Sequence, residues 1–208
     1  MSAAEQLIVF VKAPIRGTVK TRIASTLGDG PALEIYLSLV QTVLGQISSL
    51  PAVALCHTPD GAGDQIRPWL RAGWLVMPQG AGDLGERMHR AFGSAFAAGS
   101  QRVVLVGSDS PGVNDQDIRD AWQALRDHDV VLGPAVDGGY WLIGLRKSQA
   151  CLFESMRWST NNVLAETVMR VRANGLTIRM LRQLSDIDTA EDWQNYQARQ
   201  LTPAPTAP

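Results

Sequence analysis

The sequence predicts one α/β domain, residues 1–200, built on an open, mostly parallel sheet with helices on both faces. Two observations carry the prediction. Short apolar runs alternate with segments of helical period almost throughout, the pattern of parallel strands joined by crossover helices. The length of 208 residues suits one domain, and the 45% of residues that are apolar suffice to bury a core.

LIVFV (Leu7 to Val11) is an uninterrupted apolar run rich in β-branched residues, which marks a strand buried on both faces. Pro31 to Leu50 has the period of an amphipathic helix, and AVALC (Ala52 to Cys56) returns to a strand. A helix is expected near Asp64 to Ala72, a strand at WLVM (Trp74 to Met77), and a helix over Leu84 to Ala98. RVVLVG (Arg102 to Gly107) is the strongest buried strand and precedes a helix over Asp115 to Arg126. DVVLG and YWLIGL are two further strands, separated by the Gly pair of DGGY. The pattern closes with a helix over Asn161 to Ala173, a strand at TIRML and a helix from about Ala190. LTPAPTAP (residues 201–208) is Pro-rich and uncharged, the composition of a disordered tail.

A formal net charge of -1 argues against nucleic acid or a polybasic membrane surface as partner. No apolar run reaches the ~18 residues of a membrane span, and MSAAEQ lacks the basic region and cleavage site of a leader. Cys56 and Cys151 form no CxxC pair and read as reduced thiols, so a cytoplasmic location is expected.

Open α/β sheets hold ligands at the carboxyl ends of their strands. The first such place carries KAPIRGTVKTR, with Lys12, Arg16, Lys20 and Arg22 and no acid. It is not a Walker A loop, because Val19 rather than Gly precedes Lys20. Clustered Lys and Arg around a flexible Gly17, entered through a stiff Pro14, suit a di- or triphosphate. The fourth strand ends in GSDSP, where Asp109 is a candidate ligand for Mg²⁺ and Ser108 and Ser110 are hydrogen-bonding candidates. The bland alternatives are a solvated cationic loop and a turn aspartate.

Asp83 to Glu86 and Thr189 to Asp192 fit helix capping boxes and Asn114 serves as an N-cap, which leaves Asp137, Asp186 and Asp188 without a capping role. The three histidines show no zinc-ligand spacing, and no G-x-S-x-G elbow is present.

VKAPIRGTVKTRIA, QGAGDLGERM, VLVGSDSPG, DVVLGPAVDGGYWLIGL, WSTNNVLAET and DIDTAEDW together resemble the DUF2064 family of bacterial GT-A-like proteins. These are the selenodomain-associated or arsenosugar-biosynthesis-type glycosyltransferases, and the match spans residues 11 to 193. The resemblance implies a GT-A-like sheet with one antiparallel strand near DGGY. It also implies that Lys12, Ala13, Pro14, Gly17, Lys20, Arg22 and Ser108 grip a nucleotide and that Gln79 and Gly85 lie where relatives read the base. By the same resemblance Asp109 binds Mg²⁺ or Mn²⁺, with a second carboxylate from Asp137, Asp186 or Asp188; Asp188 is taken as that ligand. Glycosyltransferases of this superfamily carry D-x-D at the metal, whereas this chain reads Gly107-Ser108-Asp109. Nor does the basic loop show the L-x-x-G-x-G-x-R signature of nucleotidyltransferases.

The leading expectation is a metal-dependent glycosyltransferase using a nucleotide sugar and a small-molecule acceptor. Asp109, Lys20 and Asp137 are its catalytic candidates, with Asp137 as the acceptor's base. The alternatives are a nucleotidyltransferase that releases pyrophosphate and a non-catalytic nucleotide-binding protein. Trp141 and Trp158 are stacking candidates for an acceptor, and six tryptophans leave room for an oligomer.

Overall fold

A computed structural model of the chain describes residues 4–201. Its strands are β1 (Glu5–Lys12), β2 (Val53–Thr58), β3 (Leu75–Pro78), β4 (Arg102–Val106), β5 (Val130–Pro134), β6 (Tyr140–Leu145) and β7 (Ile178–Met180). The helices are α1 (Thr21–Leu27), α2 (Asp29–Gln46), α3 (Gly63–Ile66), α4 (Leu84–Ala97), α5 (Asp115–Ala124), α6 (Val163–Ala173) and α7 (Ala190–Leu201). All strands join one sheet in the order β3-β2-β1-β4-β6-β5-β7. Its pairs are parallel except β4–β6 and β5–β6, so β6, the strand after DGGY, alone runs against its neighbours.

The buried strands sort their side chains by the two-residue period of a pleated strand. Leu7, Val9 and Val11 face one apolar layer with Val53, Leu55, Val104 and Val106, covered by α2 and α5 through Tyr36, Val40, Ile118 and Trp122. Ile8, Ala54, Cys56, Val103 and Leu105 face the other layer, covered by α4 and α6 through Met88, Phe92 and Val171. A smaller apolar cluster of Ile23, Ala32, Ile35, Leu39 and Ile187 ties α1 and α2 to the segment before α7.

Several ends differ from expectation. Pro31 sits in the first turn of α2, which a proline tolerates, and the helix stops at Gln46 instead of Leu50. The helix expected over Asp64 to Ala72 is three short pieces: 3₁₀ turns at Asp60–Ala62 and Arg67–Trp69 flank α3. Pro68 is the reason, since it removes a backbone donor and crowds the preceding turn. Helix α1 lies where only a loop was expected. Leu201, assigned to the tail, is the last residue of α7, while residues 202–208 fall outside the described residues. Among the described residues no helix is long and apolar enough to cross a membrane.

The two capping boxes form as read, and the expected Asn114 cap proves to be a third. Asp83 accepts the Glu86 N–H at 2.9 Å and Glu86 accepts the Asp83 N–H at 2.8 Å. Asn114 and Asp117 exchange the same pair of bonds at the start of α5. Thr189 and Asp192 do so ahead of α7. Asn114→Ala is expected to destabilise the protein by about 1 kcal/mol, the usual cost of a lost cap. Urea unfolding should show it as a lower midpoint with unchanged slope, and an unchanged midpoint would remove the cap from the account.

Candidate functional site

Topology decides where the polar loops meet. β1 and β4 are parallel neighbours, so their carboxyl ends, Lys12 and Val106, open on the same edge. β6 runs the other way, so its first residues, Tyr140 and Trp141, arrive at that edge too. A cleft of about 510 Å³ lies there, lined by Lys12, Lys20, Arg22, Gln79, Arg87, Ser108, Asp109, Ser110, Asp186 and Asp188, among others.

Lys20 is the residue around which the cleft is organised. It caps α1 in the left-handed conformation, φ 47° and ψ 50°, with no side-chain cap bond. Its ammonium lies 2.7 Å from Asp109 and 3.2 Å from Asp188, and it donates to the Ile187 carbonyl at 2.6 Å. The Lys20 side chain is 5% exposed, so it is a buried strut between three loops and not a solvated cation. Arg22 is different: its side chain is 68% exposed and approaches Asp188 only to 3.6 Å. Lys12 is exposed too, held at the backbone by the Tyr36 hydroxyl, which accepts the Lys12 N–H and donates to the Lys12 carbonyl. Burial raises the Tyr36 phenol well above its ordinary range, so it stays neutral in this role.

The acids converge from two loops. The Asp109 carbonyl accepts the Ile187 N–H at 3.0 Å, which pins the 186–188 segment to the loop after β4. Asp186 accepts the Ser110 hydroxyl. Burial pushes its carboxyl up to about 6, the Ser110 bond opposes that rise, and the charges of Asp109, Asp137 and Asp188 add to it.

Other residues singled out in the sequence have structural work. Gln79 is buried at 4% exposure and lines the cleft. Its amide nitrogen donates to the Val11 and Cys56 carbonyls, and its oxygen accepts from Arg87. That set ties the ends of β1 and β2 and leaves no side-chain N–H for a base. Gly85 is a packing residue: a Cβ there would lie 2.7 Å from the Phe153 carbonyl oxygen and 2.8 Å from the Trp158 ring. Asp137 lies outside the cleft lining, and its carboxylate accepts the Gly139 N–H at 2.9 Å, the bond of a turn aspartate. Ala13, Pro14 and Gly17 shape the loop without lining the cleft; Ala13 is buried and its N–H bonds the Thr58 carbonyl. Trp141 is 3% exposed, donates to the Arg182 carbonyl and lines the cleft, and Trp158 is half-buried beside Gly85.

Arg87 and Thr21 line the cleft although the sequence did not single them out. A signal for Arg87 existed: a helix beginning at a strand's carboxyl end carries its first turn into the site, and Arg87 follows the capping box directly.

Among the described residues, no group of three or more His, Cys, Asp or Glu side chains is arranged to hold a metal. Two carboxylates nevertheless meet at one positive point, since Asp109 and Asp188 both reach the Lys20 ammonium. Oxygen donors already gathered on a cation fit a hard divalent ion that keeps water and phosphate as its remaining ligands.

Residues 44–160 match the family described as "uncharacterized protein conserved in bacteria (DUF2064)". The fold is also that of a Desulfovibrio desulfuricans G20 protein provisionally assigned as a nucleotide-diphospho-sugar transferase, with 33% identity, a TM-score of 0.90, and coverage of 97% of this chain and 90% of that one. The 4-diphosphocytidyl-2C-methyl-D-erythritol synthase of Anaerococcus prevotii DSM 20548 is similar in fold at 10% identity and TM-score 0.62, covering 96% of this chain and 100% of that one. The inositol-1-phosphate CTP transferase of T. maritima is similar at 13% identity and TM-score 0.57, covering 96% and 97%. No curated protein matches the chain significantly. On the extent of the family match and the identity to a solved relative, the chain belongs to the DUF2064 family and has the nucleotide-diphospho-sugar transferase fold.

Proposed function

We propose that the protein is a transferase that uses a nucleotide-activated donor, a nucleotide sugar in the leading reading, together with Mg²⁺ or Mn²⁺ and a small-molecule acceptor. One observation carries the reading: Lys12, Lys20, Arg22, Asp109 and Asp188 share one cleft at the carboxyl edge of the sheet. Exposed Arg22 and Lys12 would bind the diphosphate, Arg22 through its planar fork of donors. Their contribution to rate comes from charge that grows on the departing nucleoside diphosphate, which they stabilise more than the ground state. Asp109 and Asp188 would hold the divalent ion, which when bound neutralises diphosphate charge. Asp137 is given no part in this reading, because it lies outside the cleft lining and its Oδ1 accepts the Gly139 N–H of the turn.

One feature favours a second reading. The single acid of Gly107-Ser108-Asp109 departs from the D-x-D of glycosyltransferases, and in nucleotidyl transfer the same cations would stabilise pyrophosphate, although the basic loop departs from the nucleotidyltransferase signature as well. Product analysis over a panel of nucleotide sugars and nucleoside triphosphates separates the two. Nucleoside diphosphate supports sugar transfer and pyrophosphate supports nucleotidyl transfer; binding without turnover across the panel would defeat both. Arg22→Ala should weaken nucleoside diphosphate binding by about 1.5–3 kcal/mol, the scale of a hydrogen bond to a charged group. Its melting temperature should barely move, because the side chain is exposed. Unchanged affinity in calorimetry would remove Arg22 from the donor site.

A further inference from the structure

Lys20 presents a conflict that its surroundings resolve in one way. An ammonium has three N–H donors, and three acceptors take them: Asp109 at 2.7 Å, Asp188 at 3.2 Å and the Ile187 carbonyl at 2.6 Å. With its side chain 5% exposed, Lys20 has no donor left for a phosphate. Its ammonium bridges the two carboxylates assigned to the divalent ion under Proposed function. The backbone at Lys20, φ 47° without glycine's freedom, is disfavoured for a residue with a Cβ. Ile23 beyond it and Ile187 opposite it share one apolar cluster, which holds the loop in that position.

We propose that Lys20 is a resident cation that exchanges with the divalent ion. The ion displaces the ammonium from Asp109 and Asp188, and the freed ammonium becomes available to the donor's phosphates beside Arg22 and Lys12. Two like charges cannot share the site at such distances, so ion and ammonium occupy it in turn. Ion and nucleotide then bind cooperatively, each raising the affinity of the other, as linkage requires. This inference rests on the assignment of Asp109 and Asp188 to a divalent ion under Proposed function.

The test uses Mn²⁺ alone, without nucleotide. Free Mn²⁺ is measured by electron paramagnetic resonance during titration of the wild type and of Lys20→Met. The variant should bind Mn²⁺ at least ~10-fold more tightly, because no ammonium has to leave. A second measurement needs no variant and so survives a misfolded one: lysine acylation by acetic anhydride, read by mass spectrometry. Lys20 should be protected in the metal-free wild type and become several-fold more reactive at saturating Mn²⁺. Equal or weaker Mn²⁺ binding by a folded Lys20→Met, or continued protection of Lys20 at saturation, overturns the exchange while the metal assignment stands. If neither wild type nor variant binds Mn²⁺, the metal assignment itself fails and the exchange falls with it.

Discussion

Asp109→Asn is expected to lower turnover by at least ~100-fold and to abolish the divalent-ion response, with the fold intact. The magnitude is that of removing one electrostatic stabiliser from a transition state. Asn has nearly the shape of Asp, and the bond from Ile187 to residue 109 is made by the backbone carbonyl, which the substitution keeps. Lys20 retains Asp188 and the Ile187 carbonyl. Stability should fall by about 1–3 kcal/mol, between the cost of an exposed and of a buried pair, since Asp109 is 45% exposed while Lys20 is 5% exposed and keeps one of its two countercharges. What disappears is the charge that fixes a divalent ion. The check is a pair of melting curves with nucleotide, plus and minus Mg²⁺ or Mn²⁺, together with initial rates. A variant whose melting temperature still rises with the ion would end the metal role of Asp109. Unimpaired rates would reduce it to a turn residue, a place where Asn serves equally well.

The largest stability effect is expected at Gly138, in the turn between β5 and β6. Its φ is +89°, and an added Cβ would lie 2.1 Å from the Asn161 carbonyl oxygen. That oxygen belongs to backbone, so it cannot swing aside as a flexible side chain would. The Gly138 carbonyl also accepts the Leu164 N–H at 2.9 Å, which fastens the start of α6 to the turn. Gly138→Ala thus combines left-handed strain with overpacking and should cost about 3 kcal/mol or more. Gly139→Ala is the control: its Cβ would meet only the Asp137 carboxylate, at 3.2 Å, and should cost less than about 1 kcal/mol. Urea unfolding of both variants tests the contrast. The cleft should also feel Gly138→Ala, because Ser159, two residues before Asn161, lines it. Equal stability of the two variants would show that the 158–162 segment does not pack against the turn.

The elements and the edge that carries the candidate cleft could be read from the chain because their causes are local. Leu7 to Val11 is a strand because its apolar, β-branched residues suit burial on both faces, whatever lies beside it. The capping boxes at Asp83 and Thr189 close within three residues, so their spacing alone announces them. The polar loops after the strands meet in one cleft, as expected, since parallel strands end together.

Distance along the chain marks where that reading stopped. The four cations of the basic loop look alike in sequence, yet Lys20 is buried against Asp188, 168 residues away, while Arg22 stays largely exposed. Gln79 passes for a base reader until the Val11 and Cys56 carbonyls, 68 and 23 residues distant, claim its amide. Gly85 and Asp137 have the residue types of a site, but one is required by the Trp158 ring and the other by its own turn. A periodic pattern reports how each residue meets its neighbours along the chain and which face it buries. Whether a charged or polar side chain is free for a ligand depends on which acceptors folding brings to it, and those come from strands and loops whose order no local pattern encodes.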